Sequence, residues 1–456
     1  IIMFKKVLVA NRGEVAVRVI RACREIGIPT VAVYSEADAD SLHVSLATEA
    51  YCIGPKESAK SYLNIPAIIS TALISGADAI HPGYGFMSER ADFADVCQQH
   101  GITFIGPSGD VIRKMGDKAT ARATMQSKDI PITPGTDLID DLNKAKKFCK
   151  RAGYPVIVKA TAGGGGKGMR IVNSESELEE NIVLCKTEAQ RFFGNPGVYI
   201  EKYLVNPRHI EVQVLADKQG NVIHLGERDC SIQRRHQKLV EETPSPAVND
   251  KIREKLGKTA VRVAKAAKYE GVGTVEFLLD KDNNFYFMEM NTRLQVEHGI
   301  TEMISNIDIV REQINIAAGL PLSVTQRDVK LHGHAIECRI NAEDPDRDFM
   351  PAAGLINGYV APGGFGVRVD SHVYSGYAIP PYYDSMISKL VCWAPDREQA
   401  RRRMYRALKE YVITGVKTTL PFYQDLVEDP VFISGNFDTG FLEDYHKRHQ
   451  EDKDKE

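Results

Sequence analysis

Three carboxylates, two amides and a guanidinium fall in one short stretch: Glu276, Glu289, Asn291, Arg293, Gln295 and Glu297. Two apolar runs, Gly273-Thr-Val-Glu276-Phe-Leu-Leu-Asp280 and Phe285-Tyr-Phe-Met-Glu289-Met-Asn291, flank Lys281-Asp-Asn-Asn284, the pattern of a β-hairpin. With the turn centred between Asp282 and Asn283, Glu276 stands directly across from Glu289, the Cβ atoms about 4.5–5.5 Å apart. Alternation along the strand adds Asn291 to that face, and Phe285 and Phe287 with it; Tyr286, Met288 and Met290 take the other. Neither side reads as wet. Two buried carboxylates so close repel by about 4 kcal/mol at 4 Å and an effective dielectric near 20. A proton or a metal must offset that, and two carboxylates with an amide oxygen suit Mg²⁺ or Mn²⁺. A solvated strand face is the plain alternative. Downstream, Arg293 can clasp a planar anion bidentately, with Gln295 and Glu297 beside it.

The rest of the chain must position this stretch. Its 456 residues suffice for two to four domains with ample core. A net charge of −3 gives no electrostatic argument for nucleic acid or an anionic membrane. Eight scattered cysteines without a Cys-x-x-Cys argue against a disulfide framework or structural zinc and fit reduced thiols in cytoplasm. No apolar run is long enough to span a bilayer. The charged segment after Lys447 reads as a fraying tail.

At the N-terminus, Lys6–Ala10 reads as a strand, Glu14 to about Ile26 as a helix and Thr30–Tyr34 as a strand. This alternation continues to Ile105 and signals an open, mostly parallel sheet. His81-Pro-Gly-Tyr84-Gly-Phe86 lies at a strand's carboxyl end, where such sheets bind ligands, although it also reads as a simple glycine turn. A helix is expected over Gly109–Arg122, carrying Lys118.

Lys159-Ala-Thr-Ala-Gly163-Gly-Gly165-Gly166-Lys-Gly168 follows a strand. It matches neither a dinucleotide fingerprint, because Met169–Val172 reads as another strand, nor a Walker loop, because Gly follows Lys167. A glycine lid whose bare N–H groups approach phosphate remains, with a hairpin linker as the alternative. Glu201-Lys202-Tyr203-Leu204 ends a strand and could hold a base edge by its backbone. His209, Glu211 and Gln213 alternate onto one strand face. The dense run Glu227–Lys238, with Gln233 and His236, reads as a surface loop or an active-site wall. Ile304–Ala318 reads as one helix, Gly333–Asn341, Leu355–Ala361 and Gly366–Asp370 as strands, and Asp396–Tyr411 as a helix.

Six motifs in this order resemble one family: Ala10-Asn-Arg-Gly-Glu14, His81–Phe86, Lys159–Gly168, Glu227–Lys238, Glu289-Met-Asn-Thr-Arg293 and Pro380-Pro-Tyr-Tyr-Asp-Ser-Met386. Over residues 3 to 447 the chain resembles biotin carboxylase, the ATP-grasp component of acetyl-CoA, pyruvate and related carboxylases.

The resemblance implies an α/β fold in three parts: an N-terminal doubly wound parallel-sheet domain (3–115), a central ATP-grasp α+β domain (116–320) with a glycine-rich lid (about 131–204), and a C-terminal mixed α+β domain (321–447), with a disordered tail over 448–456. It implies ATP held by Lys118, Lys159, Gly165, Gly166, Glu201, Lys202, Tyr203, Leu204, His209, Gln233, His236 and Leu278, with Glu276 and Glu289 reaching it through two Mg²⁺ ions that Asn291 also holds. Bicarbonate would lie among Lys238, Arg293, Gln295, Val296 and Glu297, with Glu297 as base. Arg339 would stabilise the biotin enolate, with Tyr84 near the biotin end. The implied reaction makes carboxyphosphate, which yields CO₂ and phosphate, and phosphate takes the ureido proton of biotin.

Expected partners are a separate biotin carboxyl carrier protein, because no Met-Lys-Met occurs here and no length remains for a carrier domain, a carboxyltransferase subunit, and a second copy in a homodimer. The final carboxyl acceptor is not read from these residues. Departures from the family pattern are Gly299-Ile300 in place of Pro-Val, Pro351-Ala-Ala-Gly354 in place of Pro-Ser-Pro-Gly, and Arg90 in place of Asn. The rivals are a carboxylate–amine ligase, which would need an amine pocket instead of the bicarbonate set, and a non-catalytic nucleotide-binding subunit.

Overall fold

The computed structural model describes residues 3–161 and 168–453. The N-terminal segment builds a parallel sheet from β1 (Val7–Val9), β2 (Thr30–Ser35), β3 (Glu49–Gly54), β4 (Ala79–His81) and β5 (Thr103–Phe104), in the order β3-β2-β1-β4-β5. Because β1 and β4 are neighbours, their following loops meet: Asn11 Nδ2 donates to the carbonyls of Pro82 and Tyr84, both at 2.7 Å. The glycine turn at 81–86 is thereby fixed beside Asn11 and Arg12.

The expected helix over Gly109–Arg122 is two helices, Gly109–Gly116 and Lys118–Gln126. Asp117 separates them in extended conformation and accepts the Thr120 N–H at 2.7 Å, which caps the second helix and leaves Lys118 as its first residue. Ile304–Ala318 likewise divides into His298–Ser305 and Ile309–Ala317, with Asn306 left-handed between them and Asp308 capping the second.

A three-stranded antiparallel sheet, β7-β6-β8, comprises β6 (Val156–Ala160), β7 (Met169–Val172) and β8 (Val198–Lys202). Gly168 turns into β7 at φ +71°, and a Cβ there would stand 3.0 Å from the Ala160 Cβ, so this glycine is required by backbone and space. Gly165 and Gly166 lie outside the described residues.

The longer of the remaining strands are β9 (Arg208–Ala216), β10 (Val222–Arg234), β11 (Gln237–Thr243), β12 (Gly271–Leu279), β13 (Phe285–Asn291), β14 (His334–Asn341), β15 (Val367–Ser371) and β16 (Met386–Ala394). They form one antiparallel sheet, β13-β12-β9-β10-β11-β14-β16-β15, so the central and C-terminal segments share a single hydrogen-bonded ladder. Glu227–Lys238 is therefore no surface loop: most of it is strand β10, buried up to Ile232. The expected strand Leu355–Ala361 is two short pieces, Gly354–Leu355 and Gly358–Val360. The helix Phe441–Lys453 runs into the segment expected to fray, whose last three residues lie outside the described ones. Helices Leu420–Leu426 and Pro430–Ser434 had not been anticipated.

Glu242 ties β11 to the helix Arg397–Glu410: its oxygens take Arg397 Nε at 2.7 Å and Nη2 at 3.1 Å, and His334 Nε2 lies at 2.6 Å. Burial would raise this carboxyl, but His334 and Arg397 overcome it and hold it near about 2. A carboxyl lowered in the folded state stabilises above its unfolded value and loses that stabilisation as pH falls through the folded value. Glu242→Gln is expected to cost on the order of 3 kcal/mol at pH 7, a difference that vanishes by about pH 2. Urea unfolding at both pH values measures it, and an equal cost at both would remove the ionic explanation.

Gly299, the family departure, is the second residue of the helix His298–Ser305. A Cβ there meets nothing nearer than 3.7 Å, and its φ is not left-handed. Nothing requires a glycine. Gly299→Ala is expected to stabilise by about 0.4–1 kcal/mol through the unfolded chain, read as a higher urea midpoint at unchanged m-value. A lower midpoint would show that the neighbouring Glu337 and Arg368 cannot accommodate a methyl group.

Candidate active site

The β12–β13 hairpin places Glu276 opposite Glu289 and Thr274 opposite Asn291, the expected register. The register then slips by one residue, with Phe277 opposite Phe287. The extra residue, Met288, changes the phase of β13. Phe287 and Phe285 consequently pack with Val275, Phe277 and Met290 in the core, Phe287 also reaching the cleft wall, where strict alternation put both on the carboxylate face. Glu276 is only 4 % exposed.

Lys238 is the centre of the site. Its Nζ contacts Glu211, Glu276 at 3.2 Å and Glu297 at 2.7 Å. Burial would lower this lysine, but three carboxylates hold it well above its ordinary value, so it stays charged. Its presence on this face depends on another irregularity: β11 slips by one residue against β10 around Leu239. Lys238 and Glu241, three apart, thereby both face the site, and Leu239 and Val240 both enter the core.

Across the sheet, Glu289, Glu276, Glu211 and Arg228 stand in register on β13, β12, β9 and β10. Arg228 is completely buried; it donates to Glu211, to Gln213 at 2.7 Å, to Thr301 at 3.0 Å and to Thr274 at 3.1 Å. Glu276 accepts Asn291 Nδ2 at 2.8 Å and Gln295 Nε2 at 3.2 Å, and its other oxygen lies 3.1 Å from His209 Nε2. Burial raises Glu276, yet Lys238 and His209 bring it below the ordinary range. Glu289 differs: burial and then Glu276 raise it, and no hydrogen-bond or ion-pair partner is found for it among the described residues. An uncompensated carboxyl beside an ionised one, with the Asn291 amide adjacent, fits a hard divalent cation. Lys118, at its helix start, is the cation that acts most strongly on Glu289.

Arg293 is clasped by Glu89 at 2.9 Å and reaches Gln295 Oε1 at 3.2 Å and Asn291 Oδ1 at 3.3 Å. Glu297 is fully buried, one oxygen on Lys238 and the other on Arg339 at 3.0 Å. Burial raises it, but Lys238, Arg339 and Arg228 hold it well below the ordinary carboxyl range, hence ionised. The Val296 carbonyl accepts Lys389 Nζ at 2.7 Å, and Lys389 in turn faces Glu14 at 3.3 Å. Tyr84 donates to Glu14.

Lys238, Glu276, Glu289, Asn291, Arg293 and Gln295 line one cleft of ≈ 1460 Å³, with Glu211, Arg228 and Glu297 buried behind them. Its walls include Lys118, Lys159, Glu201, Lys202, Tyr203, Leu204, His209, Gln233, His236 and Leu278 at one end and Tyr84 and Arg339 at the other. Every described residue given a site role from sequence lines it except Glu297, which is fully buried and stands behind Lys238 and Arg339. Lys159 and Arg122 grip the Glu201 carboxylate at 2.6 and 2.8 Å, so the backbone of that tetrad and not its acid is left for a ligand. Sequence reading missed Arg122, Glu89, Arg228, Glu241, Glu337 and Lys389. All act through partners distant in the chain, and only Arg228, within the charged run Glu227–Lys238, carried a signal.

Family models match in order along the chain: "Biotin carboxylase, N-terminal domain" over residues 3–112, "Carbamoyl-phosphate synthase L chain, ATP binding domain" over 117–325 and "Biotin carboxylase C-terminal domain" over 337–444. Biotin carboxylase 1 of Bacillus subtilis is 58% identical over 445 residues, covering 97% of this chain and 99% of the relative. The crystal structure of a Campylobacter jejuni biotin carboxylase–β-γ-ATP complex superposes with a TM-score of 0.93 at 52% identity, over 96% of this chain and 98% of that one. The biotin carboxylase domain dimer of Hydrogenobacter thermophilus 2-oxoglutarate carboxylase, in complex with MgADP, ADP and bicarbonate, gives 0.92 at 52% identity, over 98% of each chain. With the cleft and its carboxylate–lysine centre already defined, these matches over nearly the whole length establish that the chain belongs to the biotin carboxylase family.

Proposed function

We propose that the chain carboxylates biotin presented on a separate carrier protein, using ATP and bicarbonate by way of carboxyphosphate. The observation that carries this reading is Lys238, whose one ammonium touches both the proposed metal carboxylate Glu276 and the proposed base Glu297. The phosphoryl end and the carboxyl end of the reaction thus meet at a single charge.

In this reading Lys118, Lys159, Glu201 to Leu204, His209, Gln233, His236 and Leu278 surround ATP; Gly165 and Gly166, also assigned to ATP, lie outside the described residues. Glu276, Glu289 and Asn291 hold Mg²⁺, which when bound neutralises the oxygens of the transferred phosphoryl group. Lys238, Arg293, Gln295 and the Val296 backbone bind bicarbonate. Glu297 takes the bicarbonate proton. Its two cations keep it ionised in the free protein; an anion that shares Lys238 loosens that hold and raises its basicity. Bicarbonate oxygen bonds to the γ-phosphorus as the bond to ADP breaks. Carboxyphosphate then separates into CO₂ and phosphate, phosphate takes the ureido N–H proton, and the nitrogen bonds to CO₂. Arg339 offsets the enolate charge, with Tyr84 beside the ring. A closed lid keeps water from carboxyphosphate.

The carrier protein, a carboxyltransferase subunit and a homodimer are the partners of this reading. Eight free cysteines, seven of them buried, support a reducing cytoplasmic setting, and no helix among the described residues is long and apolar enough to cross a membrane.

Arg339→Ala tests the division of roles. Biotin carboxylation is expected to fall on the order of 10²-fold more than bicarbonate-dependent ATP cleavage without biotin. Equal losses would move Arg339 to the bicarbonate or phosphate site.

A further inference from the structure

Behind Arg339 lies a second acidic pair that the proposed reaction does not use. Glu241 on β11 and Glu337 on β14 stand directly opposite each other, both completely buried. None of their four carboxyl oxygens has a hydrogen-bond partner among the described residues, and neither has Arg339 Nε. Glu241 forms an ion pair with Arg339 Nη2, the nitrogen that also holds Glu297. One guanidinium therefore faces three carboxyls.

The neighbouring elements do not correct this imbalance. Lys389 on β16 acts on Glu337, but it is engaged by Glu14, by the Val296 carbonyl and more distantly by Asp370. Arg368 on β15 is spent on Asp370 and Glu302. His298, on the helix packed over the pair, is kept neutral by burial and by Lys389, Arg18 and Arg368. The missing positive charge must be a proton.

We propose that Glu337 is a positioning residue for transfer to biotin: it remains a neutral acid through the working pH range, so that Arg339 keeps charge to offer the cleft. The inference rests on the reading that Arg339 faces biotin.

The electrostatics agree with the geometry. Burial, then repulsion by Glu241, pushes Glu337 well above the ordinary carboxyl value, and burial pushes Glu241 up to about 7 against the pull of Arg339. The two titrate as a coupled pair, both held above the ordinary carboxyl value. While Glu337 is neutral, Arg339 is balanced from behind by Glu241 alone. Once it ionises, a second carboxylate competes with the enolate for the same cation, and carboxylation should fall on the alkaline side. Bicarbonate-dependent ATP cleavage has no such dependence on Arg339.

The test combines Glu337→Gln, which mimics the neutral acid, with infrared difference spectra in H₂O and D₂O. The parent is expected to carry a protonated-carboxyl band that the variant lacks. The variant should retain carboxylation within about threefold at neutral pH, and its alkaline limb should move up by about one pH unit or more, with ATP cleavage unmoved. Superimposable pH profiles, or no band lost in the variant, would overturn the proposal. If the variant does not fold, the parent decides: a band that persists to about pH 9 supports a buried neutral glutamate, and one lost well below overturns it. Arg339→Ala separates the two ideas. Equal loss of both activities removes Arg339 from biotin and the reading with it, whereas the Glu337 band survives.

Discussion

Lys238→Met is expected to abolish turnover and to lower stability by about 3–5 kcal/mol, the cost of stranding buried charge. Glu211, Glu276 and Glu297 would lose their common counter-ion, and all three are buried. The sign follows from the carboxyls: Lys238 helps hold Glu276 and Glu297 below their ordinary values, so without it both rise and take up protons. The variant should therefore regain stability as pH is lowered toward the ordinary carboxyl range, whereas the parent should not. Guanidinium unfolding across pH measures this. A variant as stable as the parent at pH 7 would show that the carboxylates are not ionised together.

Glu289→Gln should cost at least about 10³-fold in turnover at ordinary Mg²⁺ while leaving the fold intact. The contrast with Lys238 comes from partners. Glu289 is raised by burial and by Glu276 and has no hydrogen-bonded or ion-paired partner among the described residues, so neutralising it relieves repulsion. Loss of activity with unchanged or increased stability is the signature of a carboxylate kept for a ligand. Near-parental activity, with no shift in the Mg²⁺ dependence, would remove Glu289 from the metal site.

The hairpin register was legible because the polar turn at 281–284 fixes it, and the family motifs carried nearly the whole cleft. What escaped was irregularity and distance. The register slips at Met288 and around Leu239 have no sequence signature, yet they decide which of Phe287, Lys238 and Glu241 face the site. Arg228 sat in a charged run that is ambiguous until its partners Glu211, Gln213, Thr274 and Thr301 arrive from three other elements. The helix breaks were readable in principle. Asp117 and Asp308 are ordinary caps, overridden by apolar periodicity on either side. Asp429-Pro430 was likewise a start signal for a helix that went unread.

The ladder that joins the central segment to the C-terminal one has a consequence for dissection. Its joint is β11 against β14; the match boundary at 325 falls between those strands and the one at 337 falls inside β14. Cutting there would bare the N–H and C=O row of Gln237–Thr243 and uncover Leu239 and Val240, a sticky edge prone to aggregate. It would also take Arg339 away from Glu241 and Glu297. The family divisions therefore mark ancestry rather than autonomous modules, and the halves are best handled as one cooperative body.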